Sequence, residues 1–505
     1  MLSEHLISHI GILHGKTGMP LHRQLYEALR RAMLDGRLVP GDRLPSTREL
    51  AQDLQLSRNT VVAAMEQLTV EGYLHSRVGS GTFVKEGVQT RTHRKPPASS
   101  SHRMGLSRRG QVIATSYCAE QLEVQPFTPG PGDFSAFPSE LWQRLQTKHW
   151  KMRYPDMLDY SASGGYGPLR RAVADYLRVF RSAEIDTDQV IITNGTQQSL
   201  DLCIQLLADH QDTVWVEDPA YWGAAKAFLA GGLRLHAVPV DAHGLAPAPC
   251  DDKAPPRLIY VTPSHQYPTG AVMALERRHQ LLGVARAHKA WILEDDYDSE
   301  FRFTGPPLAS LTGLDPDERV LYMGSFSKVL YPGLKLAYLV VPRRLSSVFK
   351  QAHYDLNRPG QMPLQAALAE FIGMGHFANA LRRARTSYGQ RRAQLLAALS
   401  PCLGTDAWIS GAEQGLHLCL RLPGAIDDRA MAMAISKRGM TVRPLSAYCL
   451  QRDDLRGLVI GYGYAHPADI AHWGPQLATA IVEELGARRR RAASPRPSPA
   501  PAPGS

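Results

Sequence analysis

Leu21, Leu25, Leu29 and Met33 recur at a spacing of four, the repeat of one apolar helix face, and Gly36 marks its end. A turn-rich stretch, LVPGDRLP, follows. Ser46-Thr47-Arg48-Glu49 then has the form of a capping box: Ser46 can accept from the amide three residues on, and Glu49 can reach back. Leu50, Ala51 and Leu54 give this second helix a buried side. Ser57 caps a third helix, which turns Val61, Met65 and Leu68 inward and Arg58, Asn59 and Thr60 outward from its first turn. LHSRVGSGTFV predicts two short strands around Gly79-Ser80-Gly81. Helix, short turn, helix and β wing over residues 18–86 make a winged helix-turn-helix.

The pattern then lapses. Residues 87–126 carry a Pro pair, a Ser run and scattered Arg without an apolar period, and are expected to form a flexible basic linker. From 127 to 487 short apolar runs alternate with helical periods. QVIITN (189–194), DTVWVEDP (212–219), RLIYVTP (257–263), AWILEDDY (290–297), RVLYMGS (319–325) and KLAYLVVP (335–342) predict strands, and 168–181, 197–208, 275–289 and 363–399 predict helices. Continuous apolar runs suit parallel strands covered on both faces. The expected fold class is therefore α/β, an open sheet with ligands beyond the carboxyl ends of its strands. The tail 488–505, RRRRAASPRPSPAPAPGS, is low in complexity and is expected to be disordered.

With 44% apolar and 21% charged residues over 505 positions the chain can build a large core, which excludes global disorder. Its net charge of +10 is unevenly placed. Residues 1–86 hold 10 Lys and Arg against 9 Asp and Glu, 87–126 hold 6 against 2, 127–487 hold 36 against 36, and 488–505 hold 5 against none. The two flexible segments either add nonspecific attraction to phosphate or simply stay solvated. The six cysteines include no CxxC pair, no apolar run is long enough to cross a bilayer, and MLSEHLISHIGILHG lacks the basic-then-apolar order of a secretory signal. These features point to a cytoplasmic chain of free thiols with no metal site and no membrane association.

A helix start presenting Arg58, Asn59 and Thr60 suits the major groove, where Arg pairs with guanine and Asn with adenine. Ser46, Thr47 and the Gly-rich wing offer amides and hydroxyls to phosphates. Periodicity alone would also fit a small helical protein-binding domain. The whole stretch resembles the GntR-type DNA-binding domain, with LPSTREL and SRNTV as a specific pair of motifs. That resemblance implies contacts to an operator in double-stranded DNA by Arg43, Ser46, Thr47, Arg48, Arg58, Asn59, Thr60 and the wing residues Gly79, Ser80, Gly81 and Thr82.

Four constellations sit at predicted strand ends. Asn194-Gly195-Thr196-Gln197, where a strand turns into a helix, can hold a phosphate on free amides or be an ordinary cap. Glu294-Asp295-Asp296-Tyr297 clusters carboxylates that need a cation, with a Mg²⁺ site or a helix cap as alternatives. Ser325-Phe326-Ser327-Lys328 places a lysine that elsewhere would be a surface residue. In the loop from Thr262 to Gly270, His265 reads as a satisfied loop histidine. Together these groups meet the needs of pyridoxal 5′-phosphate: an amine for a Schiff base, a carboxylate for the pyridine nitrogen and donors for the phosphate. Lys328 is the amine and Asp295 the carboxylate. Gly195, Thr196, Ser325 and Ser327 are the phosphate donors. Tyr297 can bond the ring hydroxyl, and Tyr221 can stack on or border the ring.

The order NGTQQ, EDPAY, TPSHQYPTG, EDDYDSEFR, SFSK resembles the class I aminotransferase fold, and with the GntR-type domain the chain is similar to the MocR family of bacterial regulators over about residues 18–485. The resemblance implies a fold type I domain over 127–487, a head-to-tail homodimer with cofactor at the subunit interface, and regulation of transcription. The chain departs from the family pattern in three places. Lys335 stands in Pro332-Gly333-Leu334-Lys335-Leu336-Ala337-Tyr338 where the family has a phosphate-gripping Arg, keeping the charge but losing the bidentate fork. GLVIGYGY (457–464) has no Arg for a substrate carboxylate, which leaves Arg443 as the candidate. Tyr267 stands where an asparagine commonly contacts the ring hydroxyl.

The leading functional reading is a regulator whose large domain senses pyridoxal 5′-phosphate or an amino compound through aldimine chemistry at Lys328. An active aminotransferase carrying a DNA-binding domain is the alternative, and a third reading is a large domain kept only for dimerisation. The DNA-binding domain favours the first over the second, and Lys328, Asp295 and Tyr297 disfavour the third. The missing Arg in 457–464 argues against efficient turnover of ordinary α-amino acids.

Overall fold

The computed structural model describes residues 19–77, 79–86, 105–114, 124–135, 137–151, 157–161, 163–305, 308–404 and 407–493. They form two compact units that divide between positions 104 and 105.

The first unit packs α1 (Leu21–Leu34), α2 (Thr47–Asp53) and α3 (Arg58–Val70) on a three-stranded antiparallel sheet in the order β1 (Arg43–Leu44), β3 (Gly81–Val84), β2 (Leu74–Arg77). Its core holds Leu25, Leu29, Met33, Leu50, Val61, Met65 and Leu68. Leu21 leaves the expected stripe and is 39% exposed, while Tyr26 and Ala32 are buried instead. A four-residue repeat overshoots the 3.6-residue turn, so a row of such positions drifts off the core face. The capping box forms as expected: Ser46 Oγ accepts from the Glu49 amide at 3.2 Å, and Glu49 accepts from the Ser46 amide at 2.8 Å. Part of the turn-rich connector is itself a strand, Arg43–Leu44, paired with Phe83 and Thr82. Val78, inside the expected wing, lies outside the described residues.

In the second unit eight strands run in the order β4 (Val190–Thr193), β11 (Ala337–Val340), β10 (Val320–Ser325), β9 (Trp291–Asp296), β8 (Leu258–Val261), β5 (Thr213–Asp218), β6 (Arg234–Asp241), β7 (Gly244–Leu245). The pairs β10·β9, β9·β8, β8·β5 and β5·β6 are parallel. β11 is antiparallel to both neighbours, which corrects the parallel expectation for KLAYLVVP. An all-apolar run reports burial on two faces and not direction, and the short turn at Pro332–Leu334 leaves no helical crossover from β10. Alternate residues divide between two cores: Tyr322, Tyr338 and Val340 pack on one side with Leu177 and Phe371, and Leu321, Met323 and Leu339 on the other with Leu200 and Phe228.

Helices of this unit are α4 (Arg108–Ala114), α5 (Ser139–Lys151), α6 (Gly167–Phe180), α7 (Thr196–Leu207), α8 (Trp222–Ala230), α9 (Leu275–His288), α10 (Leu311–Leu314), α11 (Ser346–Asn357), α12 (Met362–Gly373), α13 (His376–Leu399), α14 (Asp428–Ser436) and α15 (Pro467–Ala493). α4 falls inside the expected linker, whose segments 87–104 and 115–123 lie outside the described residues. The single helix expected over 363–399 is two, broken at Gly375, whose φ of 77° is left-handed. α15 continues past position 488, where the tail was expected to begin, and 494–505 lie outside the described residues. A second antiparallel sheet, β12 (Trp408–Ser410), β13 (His417–Leu422), β15 (Arg456–Gly461), β14 (Arg443–Pro444), completes the unit. Among the described residues no helix is long and apolar enough to cross a membrane.

Candidate functional site

A cavity of about 400 Å³ opens at the carboxyl ends of the parallel strands. Gly195, Thr196, Tyr221, Asp295, Tyr297, Ser325, Ser327, Lys328, Lys335 and Arg443 all line it. Residues from six strand or helix ends thus converge on one space. Gly195, with φ 125°, caps α7, so Thr196 begins the helix. The early amides of a helix have no partner within it and favour an anion.

The carboxylate run on β9 is sorted by the pleat. Glu294 and Asp296 face one side, and Asp295 the other. Glu294 accepts from the amides of Leu311 and Thr312 at 2.9 and 3.0 Å, at the start of α10. Asp296 pairs with Arg181 at 2.8 Å and accepts from the Tyr322 hydroxyl at 2.5 Å. The cap and the cation that the sequence called for therefore serve these two. Asp295 faces the cavity. Tyr260 donates to its Oδ2 at 2.7 Å, and its Oδ1 is buried without a partner. Burial pushes the Asp295 carboxyl up to about 7, against the Tyr260 bond.

Lys328 donates to the Gly130 carbonyl at 2.6 Å. Burial pulls its ammonium below the usual lysine range, while the Asp298 and Asp295 charges oppose that shift. Tyr297 places its hydroxyl 3.1 Å from His265 Nδ1, which also lies 3.0 Å from Asp298 Oδ2. His265 is only half satisfied, since Nε2 is buried without a partner. Tyr267 sets its hydroxyl 3.0 Å from that of Tyr448. Burial raises the phenols of Tyr260, Tyr267 and Tyr297 well above their ordinary value, so all three keep their protons.

Sequence reasoning missed Gly130, Tyr260, Asp298 and His417, all in the cavity wall. It also missed Glu217, which accepts from Thr262 Oγ1 at 2.7 Å and is pushed to about 7 by burial. Tyr260 had one available signal: a phenol in the apolar run LIYV needs a buried acceptor, and the neighbouring strand holds Asp295.

In the first unit Arg43, Ser46, Arg48, Arg58, Asn59, Gly79, Ser80 and Gly81 are exposed, and Thr47, Thr60 and Thr82 half-buried. The Thr60 hydroxyl lies 2.8 Å from Ser57 Oγ, and that of Thr82 lies 3.2 Å from Ser76 Oγ. A Cβ at Gly81 would meet Arg43 Nε at 2.9 Å, so the wing glycine makes room for that side chain.

Residues 21–84 match the bacterial regulatory proteins of the gntR family, and residues 140–457 match aminotransferase class I and II. The chain is 37% identical to the probable rhizopine catabolism regulatory protein MocR of Rhizobium meliloti, over 96% of this chain and 99% of that protein. It is 31% identical to the pyridoxine biosynthesis transcriptional regulator PdxR of Corynebacterium glutamicum, over 91% of this chain and 95% of that one. Among solved structures it is similar to LysN, an α-aminoadipate aminotransferase of Thermus thermophilus, with a TM-score of 0.67, 27% identity, and 76% and 98% of the two chains covered.

Proposed function

This chain belongs to the MocR family of transcriptional regulators, a GntR-type DNA-binding domain joined to a class I aminotransferase domain, and we propose that its cavity holds pyridoxal 5′-phosphate and reports that cofactor, or an amino compound reacting with it, to DNA. The observation that carries this reading is the buried, unpartnered Oδ1 of Asp295 in the same cavity as Lys328. A buried carboxylate oxygen without a donor is costly, and a protonated ring nitrogen would satisfy it. The other groups fit the same ligand. Gly195, Thr196, Ser325, Ser327 and Lys335 supply donors and positive charge for a phosphate, and Tyr221 supplies a ring wall. Tyr297 supplies a hydroxyl for the ring oxygen, and Arg443 a cation for an effector carboxylate.

When bound, the cofactor supplies an aldehyde that condenses reversibly with primary amines. The protein's part is to ready Lys328. Burial favours its neutral, nucleophilic amine, and the Gly130 carbonyl holds that nitrogen in place. Asp295 is shielded from water, so its charge acts at full strength once a cation faces it. In the first unit Arg58 and Asn59 read bases, while Arg43, Ser46, Thr47, Arg48 and the wing hold phosphates, as a dimer on two half-sites.

The test is a spectral titration of the purified protein with pyridoxal 5′-phosphate, followed by candidate amines, with operator binding measured at each step. One relative is named for pyridoxine biosynthesis, so the cofactor is itself tested as an effector. A saturable visible band that responds to ligand together with DNA affinity is expected. No visible band at saturating cofactor overturns the reading.

A further inference from the structure

His265 and Asp298 are each 1% exposed, yet neither was required by the cofactor reading. Nδ1 of His265 lies 3.1 and 3.0 Å from the two Asp298 oxygens and 3.1 Å from the Tyr297 hydroxyl. The imidazole stacks on the Tyr297 ring with centroids 6.0 Å apart. A carboxylate only accepts, so Nδ1 carries a hydrogen, and the Tyr297 oxygen beside it can only be a second acceptor. The phenol's own O–H is then not spent on the imidazole. Tyr297 lines the cavity and keeps its proton, so that hydrogen is left for whatever the cavity holds.

The surroundings are built around this pair. A Cβ at Gly415, whose φ is +82°, would lie 1.9 Å from His265 Cε1 and 2.8 Å from Asp298 Oδ2. His417 packs on the other side with ring centroids 4.8 Å apart, its Nε2 occupied 3.1 Å from the Pro268 carbonyl. The Tyr267 ring packs T-shaped against both Tyr297 and His417, with centroids 5.9 and 5.2 Å apart. The titratable groups around Tyr297 and His265 include Asp298, His417, Tyr267, Asp295 and Glu217, with Lys328 lining the same cavity.

We propose that Asp298 and His265 are positioning residues that make the Tyr297 hydroxyl a one-way donor into the cavity. The proposal rests on the reading of this cavity as a cofactor site, and its test has one arm independent of that reading. In cofactor-free protein labelled with ¹⁵N-histidine, the His265 signal, assigned by its loss in His265→Gln, should show hydrogen on Nδ1. A signal with Nδ1 bare overturns the proposal whatever binds in the cavity.

The second arm uses the protein loaded with pyridoxal 5′-phosphate. A hydroxyl donating to the ring oxygen favours the deprotonated form, so losing the donor raises the pH midpoint of the visible band. His265→Phe should raise that midpoint by about one pH unit, and in a Tyr297→Phe background it should add nothing further. A shift of equal size in both backgrounds, or none in either, overturns the proposal. A wild-type protein that gives no visible band sinks the cofactor reading instead, and the tautomer measurement still decides this one.

Discussion

Tyr260 donates its hydroxyl to Oδ2 of Asp295 at 2.7 Å, and Oδ1 of the same carboxylate is buried with no partner. The two residues sit on adjacent parallel strands, β8 and β9, and the pleat turns both toward the cavity. Burial raises the Asp295 carboxyl to about 7, far above the value of about 3.9 in an unfolded chain. The folded protein therefore holds a proton that the unfolded chain has released. This group's stabilising effect is complete below about pH 4 and is lost as pH rises through about 7. Glu217, also raised to about 7, adds to the same slope. Asp295→Asn should flatten the decline in melting temperature of cofactor-free protein between about pH 5 and 8, without abolishing it. Cofactor binding should run the other way, since the ionised carboxylate faces the ring cation. Affinity should rise with pH through about 7, and an Asp295→Asn protein with the same dependence would show that another group sets it.

Lys335 lines the cavity from a left-handed position, φ 52°, just after the turn Pro332–Leu334. If it holds the phosphate, Lys335→Ala should weaken pyridoxal 5′-phosphate binding by about 1–3 kcal/mol, the worth of a charge-assisted bond. Lys335→Arg should preserve or tighten binding, because a planar fork can bond two phosphate oxygens. Equilibrium titration of the three proteins decides. An unchanged dissociation constant in Lys335→Ala means that the phosphate is held elsewhere.

Arg58 and Asn59 are exposed at the start of α3, whereas Thr47 begins α2 behind the Ser46 cap. Arg58→Ala should reduce discrimination between operator and random DNA, with each lost base contact worth about 1–3 kcal/mol. Thr47→Ala should weaken both kinds of DNA by similar factors, because phosphates carry no sequence. Competition binding and footprinting separate the two effects. An Arg58→Ala protein as selective as wild type would remove α3 from the role of reading element.

The site was legible wherever a polar motif interrupts an apolar strand: NGTQ, EDDY and SFSK each stand out against the runs before them, and their residues meet in one cavity. Tyr260 was not legible, because it reads as core within LIYV, and neither was Asp298, which follows β9 and is 1% exposed. His265 reads in the sequence as a satisfied loop histidine, because its partners Asp298 and Tyr297 come from a different strand end. The direction of β11 was hidden for the same reason that its existence was plain, since burial on two faces erases any alternation. The small sheet of β12 to β15 went unread because its pairings join segments distant in sequence, such as His417 with Gly461. In the first unit nearly every element was legible, because caps and turns there are local.

If Lys328 carries the cofactor, reduction with borohydride followed by peptide mapping will locate it there. Wild-type protein incubated with pyridoxal 5′-phosphate and reduced should carry a single stable label, on the peptide containing Lys328. Lys328→Ala should lose both the label and the visible band while its circular dichroism stays that of the wild type, since among the described residues its ammonium bonds only to the Gly130 carbonyl. A reducible adduct that persists in Lys328→Ala, or a wild-type label on another lysine, would exclude Lys328 as the point of attachment.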